Sequence, residues 1–346
     1  MHFFPSLPLP LPTILFLFLS LTCCHRGCHA TIIPELLKRP SATHPPLTNA
    51  LLLTAAKNGD ALAVQEFLDT SITTLSSRGK NEDGWTALML AADNGHTNIV
   101  RLLLDTISAS TIETKDSIHD YLNTRSNTYG WTALHYASFE NYIDIVQLLL
   151  ENMQVNVNAK NTEQKTSLMW ACEQGHEKIV SVLLGRSRTK GVTIEIDAKD
   201  KYGWTALMYA AKKNHIKVIK ILLTNNANSK ITDPDGWSAY GLAATSGHHE
   251  TIELLVKDGI NPNNRNASGT TILMLACKSG DVATIEILIK NGASTIMKDK
   301  FGRTALIYAV RSNRLNAVDF LLKNGAQIDD EDKYEWTALM WAVNSS

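Results

Sequence analysis

From residue 84 onward the apolar positions come in blocks of one shape. A short run such as Ala206-Leu207-Met208-Tyr209-Ala210-Ala211 is followed by a polar break. A second run then carries apolar residues at helical spacing: Val218, Ile219, Leu222 and Leu223 here, matched by Ile99, Val100, Leu103 and Leu104 earlier. Copies of the first run start at Gly84-Trp85-Thr86, Gly130-Trp131-Thr132 and Gly203-Trp204-Thr205, with weaker ones at Lys165-Thr166, Gly236-Trp237-Ser238, Gly269-Thr270-Thr271, Gly302-Arg303-Thr304 and Trp336-Thr337. The glycines at 203, 236, 269 and 302 are 33 residues apart, and Glu335 holds the next such slot. Self-similarity at this period predicts a stack of helical pairs. A turn signal such as Asp200-Lys201-Tyr202-Gly203 opens each block, because Asp can bond its own backbone and Gly accepts positive φ. Thr205 then stands where a helix N-cap belongs. Gly95, Asn141, Gly175, Asn214, Gly247, Gly280 and Asn313 close the first helix, being the residue types that tolerate a left-handed C-cap. Alanine recurs at 91, 137, 171, 210, 243, 276, 309 and 342, which implies helices packed too closely for anything larger.

The chain at this point resembles the ankyrin repeat family over roughly residues 48 to 346, through the turn Gly, the Thr and Leu that follow it, the Ala, the Gly-His pair and the Leu-Leu ending of the second helix. The resemblance implies an all-α ankyrin-repeat solenoid of helix-turn-helix units with hairpin-like connections, and partner binding on its concave face and turn tips. The sequence departs from the family where its Pro is mostly Ala and its His mostly Met (Met89, Met169, Met208, Met274, Met340); only His135 is retained, so the family's Thr–His bond is in doubt in most units.

A solenoid grows by stacking, so 346 residues need not mean two globular domains. The charge balance of 33 basic and 34 acidic residues, net −1, argues against a general nucleic-acid or anionic-membrane binder. Three of the five cysteines precede residue 30; Cys172 and Cys277 stand beside the repeated Ala and read as buried packing residues, so no disulfide framework is expected.

Residues 1–30 read as a secretory signal peptide: an apolar run over 13–21, then Gly27-Cys28-His29-Ala30 with small residues flanking a cleavage after Ala30. The absence of Lys or Arg before residue 13 leaves an uncleaved anchor or an incidental apolar terminus, hence a cytoplasmic chain, as alternatives. Cys23 or Cys24 would be the lipid site if Leu21-Thr22-Cys23-Cys24 acts as a lipoprotein box. Export is the expected localisation. Residues 31–47 are Pro-rich and expected as a flexible lead-in, and 48–80 as an N-terminal capping repeat. Residues 81–346 hold about seven full repeats and a terminal half repeat. The step from Gly95 to Asn141 is 13 residues longer than 33, which predicts a projecting loop within 105–126; a shorter insertion lies at 185–196. The last unit lacks a second helix, either because a lone helix caps the stack or because the sequence is truncated relative to an ancestor.

Histidines 96, 176, 215 and 248 recur at the start of the second helix. One per unit stands roughly 8–10 Å from the next, too far apart for shared metal ligation, and the resemblance implies that each bonds backbone. Cys24-His25-Arg26-Gly27-Cys28-His29 is one residue too long for haem attachment. Phosphate loops, nucleophile elbows and zinc spacings are lacking, so the expectation is a non-enzymatic chain with no cofactor, metal site or small-molecule substrate. A surface stripe stands out instead. Transferred slot by slot, the family's contact positions hold Trp85, Trp131, Trp204, Trp237 and Trp336 after the Gly, with Arg303 in another unit. They also hold Tyr129, Tyr202, Phe301 and Tyr334 at the turn tips, and Phe139, Lys212 and Lys213 on the first helix. Trp, Tyr and Arg are enriched in binding hot spots; equally, each Trp could be mortar between repeats. The expected partner is a protein, with a loop-borne activity or a purely structural scaffold as alternatives.

Overall fold

The protein is described from a computed structural model, which places residues 49–70, 79–110, 114–189 and 193–345. The segment expected as a signal peptide, the expected lead-in up to residue 47, and Cys23 and Cys24 lie outside the described residues. The described residues form eighteen helices and no strand. First helices of the units are α1 (Asn49–Asn58), α3 (Ala87–Asp93), α6 (Ala133–Phe139), α8 (Ser167–Gln174), α10 (Ala206–Lys212), α12 (Ala239–Thr245), α14 (Ile272–Ser279), α16 (Ala305–Arg311) and α18 (Ala338–Ser345). They define units 1 to 9. Second helices are α2 (Ala61–Thr70), α4 (Thr97–Ala109), α7 (Ile143–Glu151), α9 (Glu177–Thr189), α11 (Ile216–Thr224), α13 (His249–Lys257), α15 (Val282–Lys290) and α17 (Leu315–Lys323). Each first helix packs on the first helix of the next unit and each second helix on the next second helix, giving two parallel rows. The expected solenoid is the fold.

The local chemistry that builds a unit is visible in unit 5. Thr205 has extended backbone, and its hydroxyl accepts from the Met208 amide. The helix closes through Asn214 at φ 59°, the left-handed position that Gly175 and Gly280 take at 79° and 83° in their units. The recurrent alanines 91, 137, 171, 210, 243, 276 and 309 are fully buried, so any larger side chain would push two first helices apart. Two turn glycine slots are filled by Gln164 and Glu335, both at φ 61°, a left-handed backbone that a residue with a Cβ adopts only at a cost.

Turns are tied to each other by main chain. Asn127 donates to Asp83 O, Thr162 to Tyr129 O, Lys201 to Glu163 O, Ala267 to Asp235 O, Lys300 to Ser268 O and Lys333 to Phe301 O, all within 2.8–3.0 Å. At the junction of units 5 and 6 the donor's place is held by Pro234, which has no N–H. There the indole of Trp204 reaches across to Asp233 Oδ2 at 3.2 Å.

The segment 105–126, expected as a projecting loop, is built differently. α4 runs on to Ala109, and a further helix, α5 (Lys115–Leu122), follows. Tyr121 and Leu122 are buried in the core. The extra residues therefore form an added element packed on the stack; the notion of a free loop came from counting residues between units, which does not register that Ile118, Tyr121 and Leu122 share one helix face. Likewise α9 extends through the start of the 185–196 insertion. In α18, Leu339 and Met340 are 68% and 50% exposed, whereas Leu207 and Met208 in the same slots of unit 5 are 1% exposed. No helix among the described residues is long and apolar enough to cross a membrane.

Candidate partner-binding face

Each turn is pinned by one polar side chain, buried in most units, half-buried at Asn266 and exposed at Asn81. Asp200 Oδ1 accepts from the amides of Tyr202 and Trp204 at 2.9 and 2.8 Å. Asp233, Asp299 and Asp332 repeat the arrangement, and Asn161 and Asn266 supply the same oxygen in their units. The second carboxylate oxygen reaches the first helix: Asp200 Oδ2 accepts from Tyr209 Oη at 2.5 Å, Asp299 Oδ2 from Tyr308 Oη at 2.9 Å, and Asp332 Oδ2 from Trp341 Nε1 at 2.9 Å. Asp299 also takes Arg303 Nε at 2.8 Å. Burial pushes its carboxyl up, and the bonds from Arg303, Tyr308 and the Phe301 amide outweigh that and hold it below the usual carboxylate range. The turn acids thus act as struts, which accounts for their recurrence.

Those struts expose a slot that sequence reasoning passed over. Four residues after the cap threonine stand Tyr136, Trp170, Tyr209, Tyr308 and Trp341. The signal was present, since the slot is aromatic in most units, but the periodic Trp of the turn drew attention first. From unit 2 to unit 5 the two sets form a ladder of rings, and a separate pair stands in unit 9. Trp85 stacks on Tyr136 of the next unit at 4.4 Å; Tyr136 meets Trp131 at 5.0 Å; Trp131 meets Trp170 of the following unit at 4.9 Å. Phe139 stands edge-on to Trp131 and Trp170 at 5.3 and 5.4 Å. The ladder continues through a cation: Lys165 Nζ lies 4.0 Å from the Trp170 ring centre and 4.3 Å from that of Tyr209, and pairs with Glu173 at 2.9 Å. Trp204 and Tyr209 then meet at 5.2 Å, and Trp336 and Trp341 at 4.7 Å.

The sequence-nominated residues therefore divide into two groups. Trp85, Trp131, Trp204, Trp237 and Trp336 are half-buried and, with Phe139, engaged in packing against the core or other rings. Arg303 is half-buried, locked to Asp299 and lying 4.5 and 5.0 Å from the ring centres of Phe301 and Tyr308. By contrast Tyr129, Tyr202, Phe301 and Tyr334 are 61%, 55%, 45% and 67% exposed at the turn tips, and Lys212 and Lys213 are exposed on the first helix.

Other polar groups are structural. Nε2 of His96, His176, His215 and His248 donates to the carbonyls of Lys57, Phe139, Glu173 and Lys212 in the preceding unit, at 2.9–3.1 Å. His135, fully buried, lies 2.9 Å from Thr132 Oγ1 through Nδ1 and donates from Nε2 to Lys165 O. Burial pushes its pKa down to about 4, so the ring is neutral. Where Met replaces it, the thioether stands in weakly: Met208 Sδ and Met274 Sδ lie 3.4 and 3.3 Å from the Thr205 and Thr271 amides. Cys172 and Cys277 are buried thiols with pKa values pushed up by burial, hence poor nucleophiles. Among the described residues no three His, Cys, Asp or Glu side chains converge on a metal position.

The family model described as ankyrin repeats (3 copies) matches the chain in overlapping windows from residues 19–116 and 52–161 through 225–299 and 273–346. A comparison with curated proteins gives no match.

Proposed function

Because the chain belongs to the ankyrin repeat family, whose repeats are generally protein–protein interaction modules, we propose that it binds a protein partner without catalysis, through its turn tips and the exposed side of its first helices. One observation carries this reading: aromatic rings stand 45–67% exposed at the tips of units 3, 5, 8 and 9, on turns held rigid from inside by buried Asp and Ser side chains. The buried side chain already closes the turn, so forming the turn does not require an aromatic at that slot. Rigid presentation of amphipathic rings lowers the ordering cost of association. The half-buried tryptophans contribute by fixing the spacing of the units.

The test is a comparison of wild type with Tyr129→Ala/Tyr202→Ala/Phe301→Ala in affinity capture from a native extract, both proteins first checked by thermal melting. The expected outcome is at least a tenfold loss of a captured protein at an unchanged melting temperature, since all three rings lie outside the core. Retention of every captured protein by the triple variant would refute the assignment.

A further inference from the structure

Ring faces on this side of the molecule are matched with cations at some units and not at others. Lys165 covers Trp170 and Tyr209; Arg303 covers Phe301 and Tyr308; Arg311 lies 4.3 Å from the centre of the Trp341 ring. In units 2 and 3 the half-buried rings of Trp85, Trp131 and Phe139 have no such cation among the described residues, while Tyr136 is buried between Trp85 and Trp131. They have carboxylates instead. Asp93 and Glu140 occupy neighbouring first-helix positions, and neither forms an ion pair among the described residues. The two repel: burial and then the Glu140 charge push the Asp93 carboxyl up to about 6, against a smaller opposing pull from Lys57. Asp93 is the last residue of α3 and Glu140 directly follows Phe139 at the end of α6, so both carboxylates stand at the ends of first helices next to the rings of units 2 and 3. The Arg125 guanidinium is turned to the Gly130 carbonyl at 3.2 Å.

The charge then changes sign along the stack. In the corresponding slots Glu173 of unit 4 is answered by Lys165, unit 5 presents Lys212 and Lys213, unit 7 Lys278 and unit 8 Arg311, all four exposed. None of the three lysines forms an ion pair among the described residues. A net charge of −1 conceals this separation.

Resting on the protein-binding reading above, we propose that this face takes an extended segment of a protein partner carrying opposite charges at its two ends, with an arginine or lysine seated among Asp93, Glu140 and the rings of units 2 and 3, and carboxylates lying over Lys212 and Lys213. A cation there gains both the ring quadrupole and two carboxylates that now repel each other. Two to three unit steps of roughly 10 Å separate the acidic and basic groups, which an extended chain spans in roughly six to nine residues.

The experiment is selection of a displayed library of random 16-residue peptides on the immobilised full chain, followed by affinity measurement of the enriched peptides on wild type, Asp93→Asn/Glu140→Gln and Lys212→Glu/Lys213→Glu. The expected result is enrichment of peptides with basic and acidic clusters about six to nine residues apart. Each variant should weaken them at least tenfold while melting as the wild type or higher. Peptides that bind without segregated charge, or that ignore both variants, overturn this inference and leave the protein-binding reading standing. Selection with no enrichment over the heat-unfolded chain overturns both.

Discussion

At the residue scale, His135 shows what one slot can do that its replacements cannot. Its ring joins Thr132 to the Lys165 carbonyl of the next unit, a link that Met in the other units lacks. The link is pH-sensitive in a definite direction. The folded pKa of about 4 lies below the ordinary imidazole value of 6.5, so between these values the unfolded chain binds the extra proton and stability is lost as pH falls. The shift corresponds to roughly 3 kcal/mol at full development. His135→Met should cost about 1–2 kcal/mol at pH 7.5 through the lost hydrogen bonds, and should lose less than wild type between pH 6.5 and 4. Urea melts at pH 7.5, 5 and 4 would read this; parallel losses in the two proteins would disprove it. The doubt that the sequence raises over Thr–His bonding is settled here in a way residue identities alone could not reach, because a thioether's ability to face the threonine amide depends on its rotamer.

At the element scale, unit 6 carries a compensated set of departures. Tyr240 fills the leucine slot and is fully buried, while Gly241 sits in the slot that holds Met in most units. The Trp237 ring occupies the space this leaves, only 2.6 Å from where a Cβ on Gly241 would stand. Helix propensity alone would favour alanine at 241 by about 1 kcal/mol, yet overpacking costs about 1–3 kcal/mol. Gly241→Ala should therefore lower the melting temperature, and in a Trp237→Ala background the same change should raise it. A rise in both backgrounds would show that the ring is not packed there. The helices themselves were legible in the sequence, since caps, turn residues and apolar spacing agree in unit after unit. Helix α5 was not: its buried residues Tyr121 and Leu122 lie in a polar stretch, and only the stack they pack against makes them core. The binding face was half legible. Periodicity located the turn tryptophans, but whether a half-buried indole meets a partner or its neighbour's ring depends on the geometry between units.

At the scale of the whole molecule, stability is a sum of units and of the junctions between them. The junction of units 5 and 6 lacks the turn-to-turn main-chain bond at Pro234 and has side-chain links there instead, Lys199 Nζ to the Thr232 carbonyl and Trp204 Nε1 to Asp233. Trp204→Phe keeps a ring against Tyr209 and deletes that bond, worth about 1–2 kcal/mol with its partner left buried. The variant should unfold in denaturant in two steps, or in one broadened transition of lower slope, where wild type shows a steeper one. An equally sharp transition at lower midpoint would place the coupling elsewhere.

The proline at 234 has a mechanical counterpart. In a stack pulled from its two ends every junction carries the same tension, so extension collects wherever the fewest cross-links resist it, regardless of position. With side-chain struts substituting for main chain at that point, the lacing of turns between unit 2 and unit 9 would give first between units 5 and 6.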